Sequence, residues 1–467
     1  MNIVQALPSS ERIALIQGGL RLSYARLLDE ARRFGGCLRR SGLDEGSHVL
    51  IFVPLSVDLY IALLGAWSIG AVPIFIDFSR GARFVADSVA RLRPDAVVCD
   101  AVTGLWRHVY AQLRPILAVP VRGRGAAALP VSLGDAHPAI LSFTSGSTGI
   151  PKIAARSHGF LMEQYRALSA HLDFDPSHVD LGTLPVFTLA SLAAGLTTLL
   201  PRRRYRGGVD AARLARRMRR EEVSRVICSP ALFAALLNHG DLPSLRAVYL
   251  GGGPVYPSLL QAIRPDIDLR VVYGSTEAEP IAAIRWRDVS PEDKARIGAG
   301  AGLPVGAVVP GVSCRVGEDQ EIQVSGATVL SGYLHGIGDA ENKLREDGHV
   351  WHRTGDAGYF DDQGRLWLLG RVNQAVDRAG GKLYPFCAEC VLDARFGIRG
   401  ALAAYQGQCV VVVESGSVDE SAALTALAAL GVERVISVRK LPMDKRHGAK
   451  IDYPRLQKLL RSSYPGS

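Results

Sequence analysis

The residues best suited to chemistry lie in one short segment, residues 143–152, which read Phe-Thr-Ser-Gly-Ser-Thr-Gly-Ile-Pro-Lys. Glycine lets the backbone turn so that several N–H groups face one point, hydroxyls add donors, and lysine adds a mobile positive charge. This composition predicts a loop that holds a polyphosphate. The segment is not a Walker P-loop, because no Gly-Lys-Ser/Thr closes a four-residue gap after the first glycine. Considered alone, it could also be a flexible surface loop.

The elements around this segment alternate between helix and strand signals over the first two-thirds of the chain. Leu27, Ala31, Phe34 and Leu38 recur at helical spacing and stop near Gly42. A continuous apolar run at residues 49–53 predicts a strand, and further strands are predicted at residues 226–228, 247–250 and 269–272. The last two run into glycine, a pattern typical of open α/β sheets, which bind ligands at the carboxyl ends of their strands.

The pattern changes twice along the chain. From about residue 305 it becomes short alternating strands with turns, as in residues 321–324 and 365–368. After Arg371 a final stretch has its own strand, residues 409–413, and its own helix, residues 421–430. We therefore place a domain boundary near residues 372–373, giving an N-terminal domain of residues 1–372 and a C-terminal domain of residues 373–467.

Composition bounds the class of protein. The chain has 467 residues, of which 48% are hydrophobic and 21% charged, so it is globular rather than disordered. Residues 1–12 show no signal-peptide pattern, and the most apolar window, residues 59–76, is broken by glycine and proline and predicts a buried helix and strand rather than a membrane span. Seven scattered cysteines favour a reducing cytoplasm, and the lone Cys387–Cys390 pair lacks the partners of a zinc site.

The net charge of +9 comes largely from two basic stretches, residues 202–206 and 213–220. They predict a solvated basic helix or, alternatively, a surface that docks an acidic carrier protein or a phosphorylated cofactor. No nucleic-acid-binding motif accompanies them.

Several segments taken in order resemble the adenylate-forming superfamily of acyl-CoA synthetases, peptide-synthetase adenylation domains and firefly luciferase. These segments are Leu22-Ser23-Tyr24, residues 65–77, 143–152, 273–277 and 326–333, Arg353-Thr354-Gly355-Asp356, Gly370-Arg371 and Lys450. The resemblance implies an α/β fold: layered α/β subdomains and a small β-barrel-like subdomain form the large N-terminal domain, and a small mobile α+β domain follows. It also implies an enzyme that joins a carboxylate to the α-phosphorus of ATP, releasing pyrophosphate and leaving an acyl-adenylate.

The same resemblance implies a role for each matching residue. The β- and γ-phosphates would be cradled by Thr144, Ser145, Gly146, Ser147, Thr148 and Gly149, with Lys152 nearby. Mg²⁺ would lie on Glu277 and Thr144, with Thr276 beside the α-phosphate, and Ser275 would be a further nucleotide-binding residue. Adenine would stack on Tyr273, at Gly274, and be lined on its other side by Gly251, Gly252, Gly253 and Pro254. Asp356 would accept both ribose hydroxyls, and Arg371 would contact ribose or phosphate. Considered singly, each of these residues could also be an ordinary turn, helix-start or surface residue.

Lys450 corresponds to the lysine that the family brings to the reacting oxygens by rotating its C-terminal domain. Here Ala449 stands between Gly448 and the lysine, where the usual form has glycine directly before it. The hinge position, usually Asp or Lys, is Asn373. These departures leave hinge behaviour open but do not alter the phosphate chemistry.

The acid and the acceptor are less defined. Thr188 stands where α-amino-acid-activating domains have an aspartate, which disfavours an α-amino acid. Candidate pocket residues are Phe187, Thr188, Phe233, Gly252 and Glu279. Their mostly apolar character favours an alkyl or aryl acid, while Glu279 could face a polar substrate group or simply lie at the surface.

Three fates of the adenylate stay open. Transfer to a thiol, either CoA or the phosphopantetheine of an acyl or peptidyl carrier protein, is the first. Residues 184–189, 382–389 and 444–450 resemble the olefin β-lactone synthetase branch, in which a β-hydroxyl closes the adenylate, so lactone formation is the second. Amide formation or another acceptor is the third. A catalytically silent nucleotide-binding relative is a further possibility of another class.

Overall fold

A computed structural model of the chain describes residues 3–123, 125–144, 152–204, 208–378, 380–444 and 450–463. It divides into two compact units. The first comprises Met1–Cys228, Leu236–Ala247 and Leu330–Lys343, and the second comprises Ser229–Ala235, Val248–Val329 and Leu344–Ser467. Both sides of the predicted boundary near residue 373 belong to the second unit, so the division into residues 1–372 and 373–467 stays a prediction.

The helices in chain order are α1 (Ile3–Ala6), α2 (Tyr24–Arg40), α3 (Val57–Ser68), α4 (Ala82–Leu92), α5 (Ala101–Trp106), α6 (His158–His171), α7 (Pro185–Ala193), α8 (Ala211–Arg220), α9 (Pro230–Leu237), α10 (Pro257–Gln261), α11 (Pro291–Gly298), α12 (Asp339–Asn342), α13 (Pro385–Phe396), α14 (Glu420–Leu427) and α15 (Tyr453–Ser463).

The strands in chain order are β1 (Ile13–Gln17), β2 (Leu20–Ser23), β3 (His48–Phe52), β4 (Val72–Phe75), β5 (Ala96–Cys99), β6 (Leu117–Pro120), β7 (Pro138–Thr144), β8 (Lys152–Ser157), β9 (Val179–Gly182), β10 (Thr197–Leu199), β11 (Arg203–Arg204), β12 (Gly208–Val209), β13 (Arg225–Cys228), β14 (Ala247–Leu250), β15 (Asp268–Ser275), β16 (Ala278–Arg285), β17 (Leu303–Val308), β18 (Val312–Val316), β19 (Glu321–Gly326), β20 (Lys343–Glu346), β21 (His349–Phe360), β22 (Leu366–Arg371), β23 (Val376–Arg378), β24 (Gly381–Leu383), β25 (Gly400–Tyr405), β26 (Gln408–Glu414) and β27 (Arg434–Val438).

The first unit contains two sheets with mostly parallel strands. One has the order β6-β5-β3-β4-β7-β8, and only its edge pair β7–β8 is antiparallel. The other runs β13-β9-β10-β1-β2 and is parallel up to the β1–β2 hairpin. The predicted alternation of helices and strands is therefore confirmed in this unit.

Helices α2 and α3 pack closely against each other in the first unit. The helical residues predicted from spacing, Leu27, Ala31, Phe34 and Leu38, are all buried. Gly65 allows this approach, because a Cβ there would meet the Phe34 ring at 2.7 Å and the Ala31 carbonyl oxygen at 2.8 Å. The apolar window at residues 59–76 is thus buried within α3 and β4, as predicted.

The second unit contains antiparallel strands in the order β18-β19-β21-β22-β17-β16-β15, and β14 is the neighbour of β15. A separate three-stranded sheet, β25-β26-β27, follows with α13 and α14 packed in its core. The predicted strand at residues 409–413 and helix at residues 421–430 are confirmed as β26 and α14, with the last turn of the helix in 3₁₀ form.

One strand extends further than its sequence pattern indicates. The prediction that the strand at residues 269–272 ends in a loop at Gly274 is wrong, because β15 continues to Ser275 and turns back antiparallel into β16. Glycine is required inside this hairpin, since a Cβ at Gly274 would meet the Ala278 carbonyl oxygen at 2.9 Å and the Cα of Glu279 at 3.1 Å.

Candidate active site

Three of the predicted nucleotide-binding residues form one hydrogen-bonded cluster in the second unit. The Tyr273 hydroxyl donates to Oδ2 of Asp356 at 2.9 Å, and Nη1 of Arg371 donates to Oδ1 of Asp356 at 3.0 Å. Tyr273 comes from β15, whereas Asp356 and Arg371 face each other across the β21–β22 pair. Three strands therefore converge on one carboxylate.

The backbone around Asp356 is held by its neighbours. Oγ1 of Thr354 donates to the carbonyl oxygen of Ile322 at 2.8 Å and accepts from the Asp356 amide at 3.1 Å. Gly355 has a φ of +71°, a conformation that favours glycine. Arg371 also donates to the Thr354 carbonyl oxygen at 2.8 Å. This stretch lies inside the long strand β21 rather than in the isolated turn that its four residues alone could form.

The electrostatics of the cluster keep the Tyr273 hydroxyl protonated. Burial and then the nearby Asp356 carboxylate raise the pKa of Tyr273, so its hydroxyl stays protonated and keeps donating. Asp356 also raises the pKa of Arg371, with a smaller contribution from Glu277. Each carboxylate oxygen accepts one of these hydrogen bonds and has a second lone-pair direction. Asp356 can therefore accept two further donors, as a ribose diol would supply.

The turn between β15 and β16 carries the predicted metal and α-phosphate residues. Ser275 pairs with Ala278 across the hairpin, and its Oγ accepts a hydrogen bond from the Glu277 amide at 3.2 Å. Thr276 and Glu277 lie at the tip and are half-buried. Because the charge of Glu277 acts on Arg371, the hairpin brings this carboxylate into the same neighbourhood as Tyr273 and Asp356.

The predicted adenine-lining segment follows β14 directly. Gly251 lies against β15, where a Cβ would meet the Val272 carbonyl oxygen at 2.9 Å. Gly252 has a φ of +77° and is exposed, while Gly253 and Pro254 are half-buried. The structure therefore places this loop beside the strand that carries Tyr273.

The predicted phosphate loop belongs to the first unit. Thr144 ends β7 and pairs with Lys152 at the start of β8, so the two described ends of the loop are adjacent. Ser145, Gly146, Ser147, Thr148 and Gly149 lie outside the described residues. Lys152 is buried, and its Nζ donates to Oδ1 of Asn342 at 2.7 Å and lies 5.4 Å from the ring centroid of Tyr333.

Sequence reasoning missed Asn342 as a partner of Lys152. Only an indirect indication of this contact is present in the sequence. The motif at residues 326–333 includes Tyr333, and the Tyr333 ring lies against the same ammonium group of Lys152. Gly338 packs against the lysine stem as well, since a Cβ there would approach Cδ of Lys152 to 2.8 Å.

The candidate pocket residues fall in both units. On α7 of the first unit, Phe187 is 8% exposed and Thr188 is fully buried, with its Oγ1 packed against Gly182. In the second unit, Phe233 is fully buried and Glu279 is half-buried beside Pro280. Their joint contribution to one pocket stays a prediction.

The backbone of Lys450 is hydrogen-bonded to Asp444 in both directions. Its amide donates to Oδ1 of Asp444 at 2.9 Å, and the Asp444 amide donates to its carbonyl oxygen at 2.8 Å. Met443 and Ile451 form an isolated bridge beside this pair. Lys450 itself is exposed, and residues 445–449, which include Ala449, lie outside the described residues.

A magnesium ion fits the donor set at the β15–β16 turn. Mg²⁺ is commonly held in proteins by one or two carboxylates together with substrate phosphates, so Glu277 suffices as the protein carboxylate. Across the described ranges, no group of three or more His, Cys, Asp or Glu side chains could hold a metal by itself.

The same ranges contain no helix that is long and apolar enough to cross a membrane.

Comparisons with known proteins agree with this arrangement. The family model described as AMP-binding enzyme matches residues 4–334. An olefin beta-lactone synthetase of Stenotrophomonas maltophilia is 31% identical over 500 aligned residues, which cover 93% of this chain and 90% of that protein. A 2-succinylbenzoate–CoA ligase of Bacillus licheniformis is 29% identical and covers 84% of each chain.

The fold has solved counterparts. The amide bond synthetase McbA from Marinactinospora thermotolerans superimposes with a TM-score of 0.81 over 98% of both chains at 22% identity. This likeness confirms the predicted α/β fold with a large domain and a small C-terminal region. The family model covers more than half of the sequence and the β-lactone synthetase is similar over nearly all of it, so this chain belongs to the AMP-binding family of adenylate-forming enzymes.

Proposed function

We propose that this enzyme uses ATP to activate a carboxylic acid as its acyl-adenylate, with release of pyrophosphate. The observation that carries the proposal is the convergence of Tyr273, Asp356 and Arg371, with Glu277 on the adjoining turn. A carboxylate with two free lone-pair directions beside a buried aromatic ring and a guanidinium group suits the ribose and base of a nucleotide.

In the proposed reaction, a carboxylate oxygen attacks the α-phosphorus and the bond from this phosphorus to the bridging oxygen of pyrophosphate breaks. Both reactants are anions, so catalysis consists of offsetting charge and fixing geometry. Arg371 and Lys450 supply positive charge at the reacting oxygens, and Lys152 supplies it at the phosphate loop. Glu277 would hold a magnesium ion, which would supply positive charge that offsets the charge of the phosphates.

For the second step, we infer closure of a β-hydroxy acyl-adenylate to a β-lactone. The hydroxyl oxygen attacks the acyl carbon, AMP leaves with the bonding electrons, and the hydroxyl proton passes to solvent. Support comes from the two olefin beta-lactone synthetases, which are 31% and 30% identical over 93% of this chain. The similarity to a CoA ligase over 84% of both chains supports thiol transfer as the second candidate.

AMP release separates these fates. The enzyme is incubated with ATP, Mg²⁺ and a β-hydroxy acid, either alone, with CoA, or with a phosphopantetheinylated carrier protein. Full-rate AMP release without thiol, accompanied by a lactone in the mass spectrum, supports closure. AMP release only in the presence of thiol overturns closure in favour of thioester formation, and ATP binding without turnover of any acid supports a silent relative.

A further inference from the structure

A buried carboxylate that the proposed mechanism does not use connects two parts of the second unit. Glu389 on α13 is only 5% exposed. One of its oxygens accepts a hydrogen bond from the Tyr256 hydroxyl, and the other accepts a hydrogen bond from the Tyr453 hydroxyl at 3.4 Å. A buried carboxylate is retained only where hydrogen bonds offset its lost hydration.

The two tyrosines flank the proposed nucleotide and lysine elements. Tyr256 comes two residues after Pro254, where the glycine loop ends, and immediately before α10. Tyr453 comes three residues after Lys450 and begins α15. Glu389 therefore joins the base-binding side of the proposed site to the segment that carries the lysine.

The described residues on both sides of Lys450 pack together. Met443, Ile451 and Tyr453 pack on one apolar cluster with the buried Leu456 and Leu460 of α15. Asp444 is hydrogen-bonded to both the amide and the carbonyl oxygen of Lys450. These contacts connect Tyr453 with the backbone of Lys450.

We propose that Glu389 is a positioning residue that sets the place of Lys450 relative to the glycine loop, through its hydrogen bonds to Tyr256 and Tyr453. This inference rests on the proposed function, because it concerns the lysine of the adenylation step. A neighbouring contact also joins α13 to α10 but does not reach the lysine segment. There the Ser258 hydroxyl donates to Oδ1 of Asp393, and the Ser258 amide donates to Oδ2 at 2.9 Å.

The surroundings of Glu389 give the proposal a pH signature. The titratable and charged groups that face it are Tyr256, Tyr453 and Arg399, with Cys387 and Cys390 near it on α13. Burial raises the pKa of Glu389 to about 7, although both tyrosine hydroxyls and Arg399 oppose this shift. The ionised carboxylate accepts stronger hydrogen bonds than the neutral acid, so positioning should improve as pH rises through this range.

The primary test is ATP–pyrophosphate exchange by full-length Tyr256→Phe and Glu389→Gln. A hydrogen bond to a charged group contributes about 1.5–3 kcal/mol, so kcat should fall about tenfold to a hundredfold while the KM for ATP stays within about twofold. When Lys450→Ala is already present, Tyr256→Phe should lower kcat no further, because both substitutions act through the Lys450 ammonium group. The rise in kcat near pH 7 should be absent from Glu389→Gln.

Ser258→Ala is the matched control, since it loosens the same helix contact without touching Glu389, and its kcat should equal that of the wild type. The proposal is overturned by a normal kcat in Tyr256→Phe, by a full additional loss in the Lys450→Ala background, or by an equal loss in Ser258→Ala. Hydrogen exchange of residues 450–456 should quicken in Tyr256→Phe. Unchanged hydrogen exchange at these residues overturns the positioning role of Glu389, whether or not the enzyme activates an acid. Failure to activate any acid would contradict the proposed function instead.

Discussion

At the scale of single residues, the proposed nucleotide site depends on the carboxylate of Asp356. It accepts from Tyr273 and Arg371 and still has lone pairs for a ribose diol. Asp356→Asn should raise the KM for ATP about tenfold to a hundredfold, since hydrogen bonds to a charged group are worth about 1.5–3 kcal/mol. Steady-state kinetics with varied ATP measures this change.

Tyr273→Phe is the control for that substitution. It keeps the aromatic face proposed for adenine and removes only the hydroxyl, so the KM for ATP should change much less than in Asp356→Asn. An equally large change in both variants would show that the Tyr273 hydroxyl orients Asp356 and that the carboxylate does not act by itself.

Lys450 should act on the rate and not on nucleotide binding. Lys450→Ala should lower the rate of adenylation by orders of magnitude while the Kd for ATP changes little, because the ammonium group is needed mainly in the transition state. Single-turnover kinetics and calorimetric ATP binding measure the two quantities. Weak ATP binding with normal turnover would contradict the assigned role.

Short sequence motifs identified the candidate site residues more readily than the side chains that contact them. Tyr273, Asp356 and Arg371 were identified from short motifs, and the structure joins them by hydrogen bonds. Asn342 could not be identified in this way, because it lies 190 residues from Lys152 and has no local pattern of its own. Such partners are decided by tertiary packing.

At the scale of elements, the β15–β16 hairpin positions both Tyr273 and Glu277. A Cβ on Gly274 would meet backbone atoms of Ala278 and Glu279 at 2.9 and 3.1 Å. Gly274→Ala should therefore destabilise the protein by about 1–3 kcal/mol and weaken ATP binding. Chemical denaturation and ATP titration test this expectation.

Gly134→Ala provides the comparison for Gly274→Ala. A Cβ at Gly134 would meet no atom within 4 Å, and its φ is not in the left-handed region. This variant should have wild-type stability and ATP affinity. If Gly274→Ala also has wild-type stability and ATP affinity, the β15–β16 hairpin does not depend on the close approach of Gly274 to the backbone of Ala278 and Glu279.

The buried Glu389 should make stability depend on pH. Its pKa is raised from 4.5 to about 7 by burial, so the folded protein favours the neutral acid. Its stabilising contribution is complete at low pH and declines as pH rises from about 4.5, being lost above about 7. The loss is at most about 3 kcal/mol.

Thermal melts of the wild type and Glu389→Gln between pH 5 and 8 measure this linkage. The glutamine side chain does not ionise in this range, so the Tm difference should move in favour of the variant as pH rises. A difference that is constant with pH would contradict the raised pKa of Glu389.

Sequence patterns predicted the elements well where apolar runs are bounded by turns, as for β14 at Ala247–Leu250. The β15 hairpin was not predicted, because glycine is as typical of a loop as of a tight approach between strands. The choice between them depends on the neighbouring backbone.

At the scale of the whole molecule, the ordered motifs predicted the superfamily and its fold, and both are confirmed by the family match and the solved structures. The acid and the acceptor could not be read in the same way. The predicted pocket residues Phe187 and Phe233 come from separate segments, and apolar residues specify a class of acid rather than one compound.

The central claim is that this chain joins a carboxylate to the α-phosphorus of ATP, and acid-dependent ATP–pyrophosphate exchange tests it most directly. Wild-type enzyme with Mg²⁺ and a panel of alkyl, aryl and β-hydroxy acids is predicted to exchange label from pyrophosphate into ATP with at least one acid, and Lys450→Ala is predicted to lose nearly all of that exchange. Tight ATP binding with no exchange for any acid, or undiminished exchange in Lys450→Ala, would contradict the account.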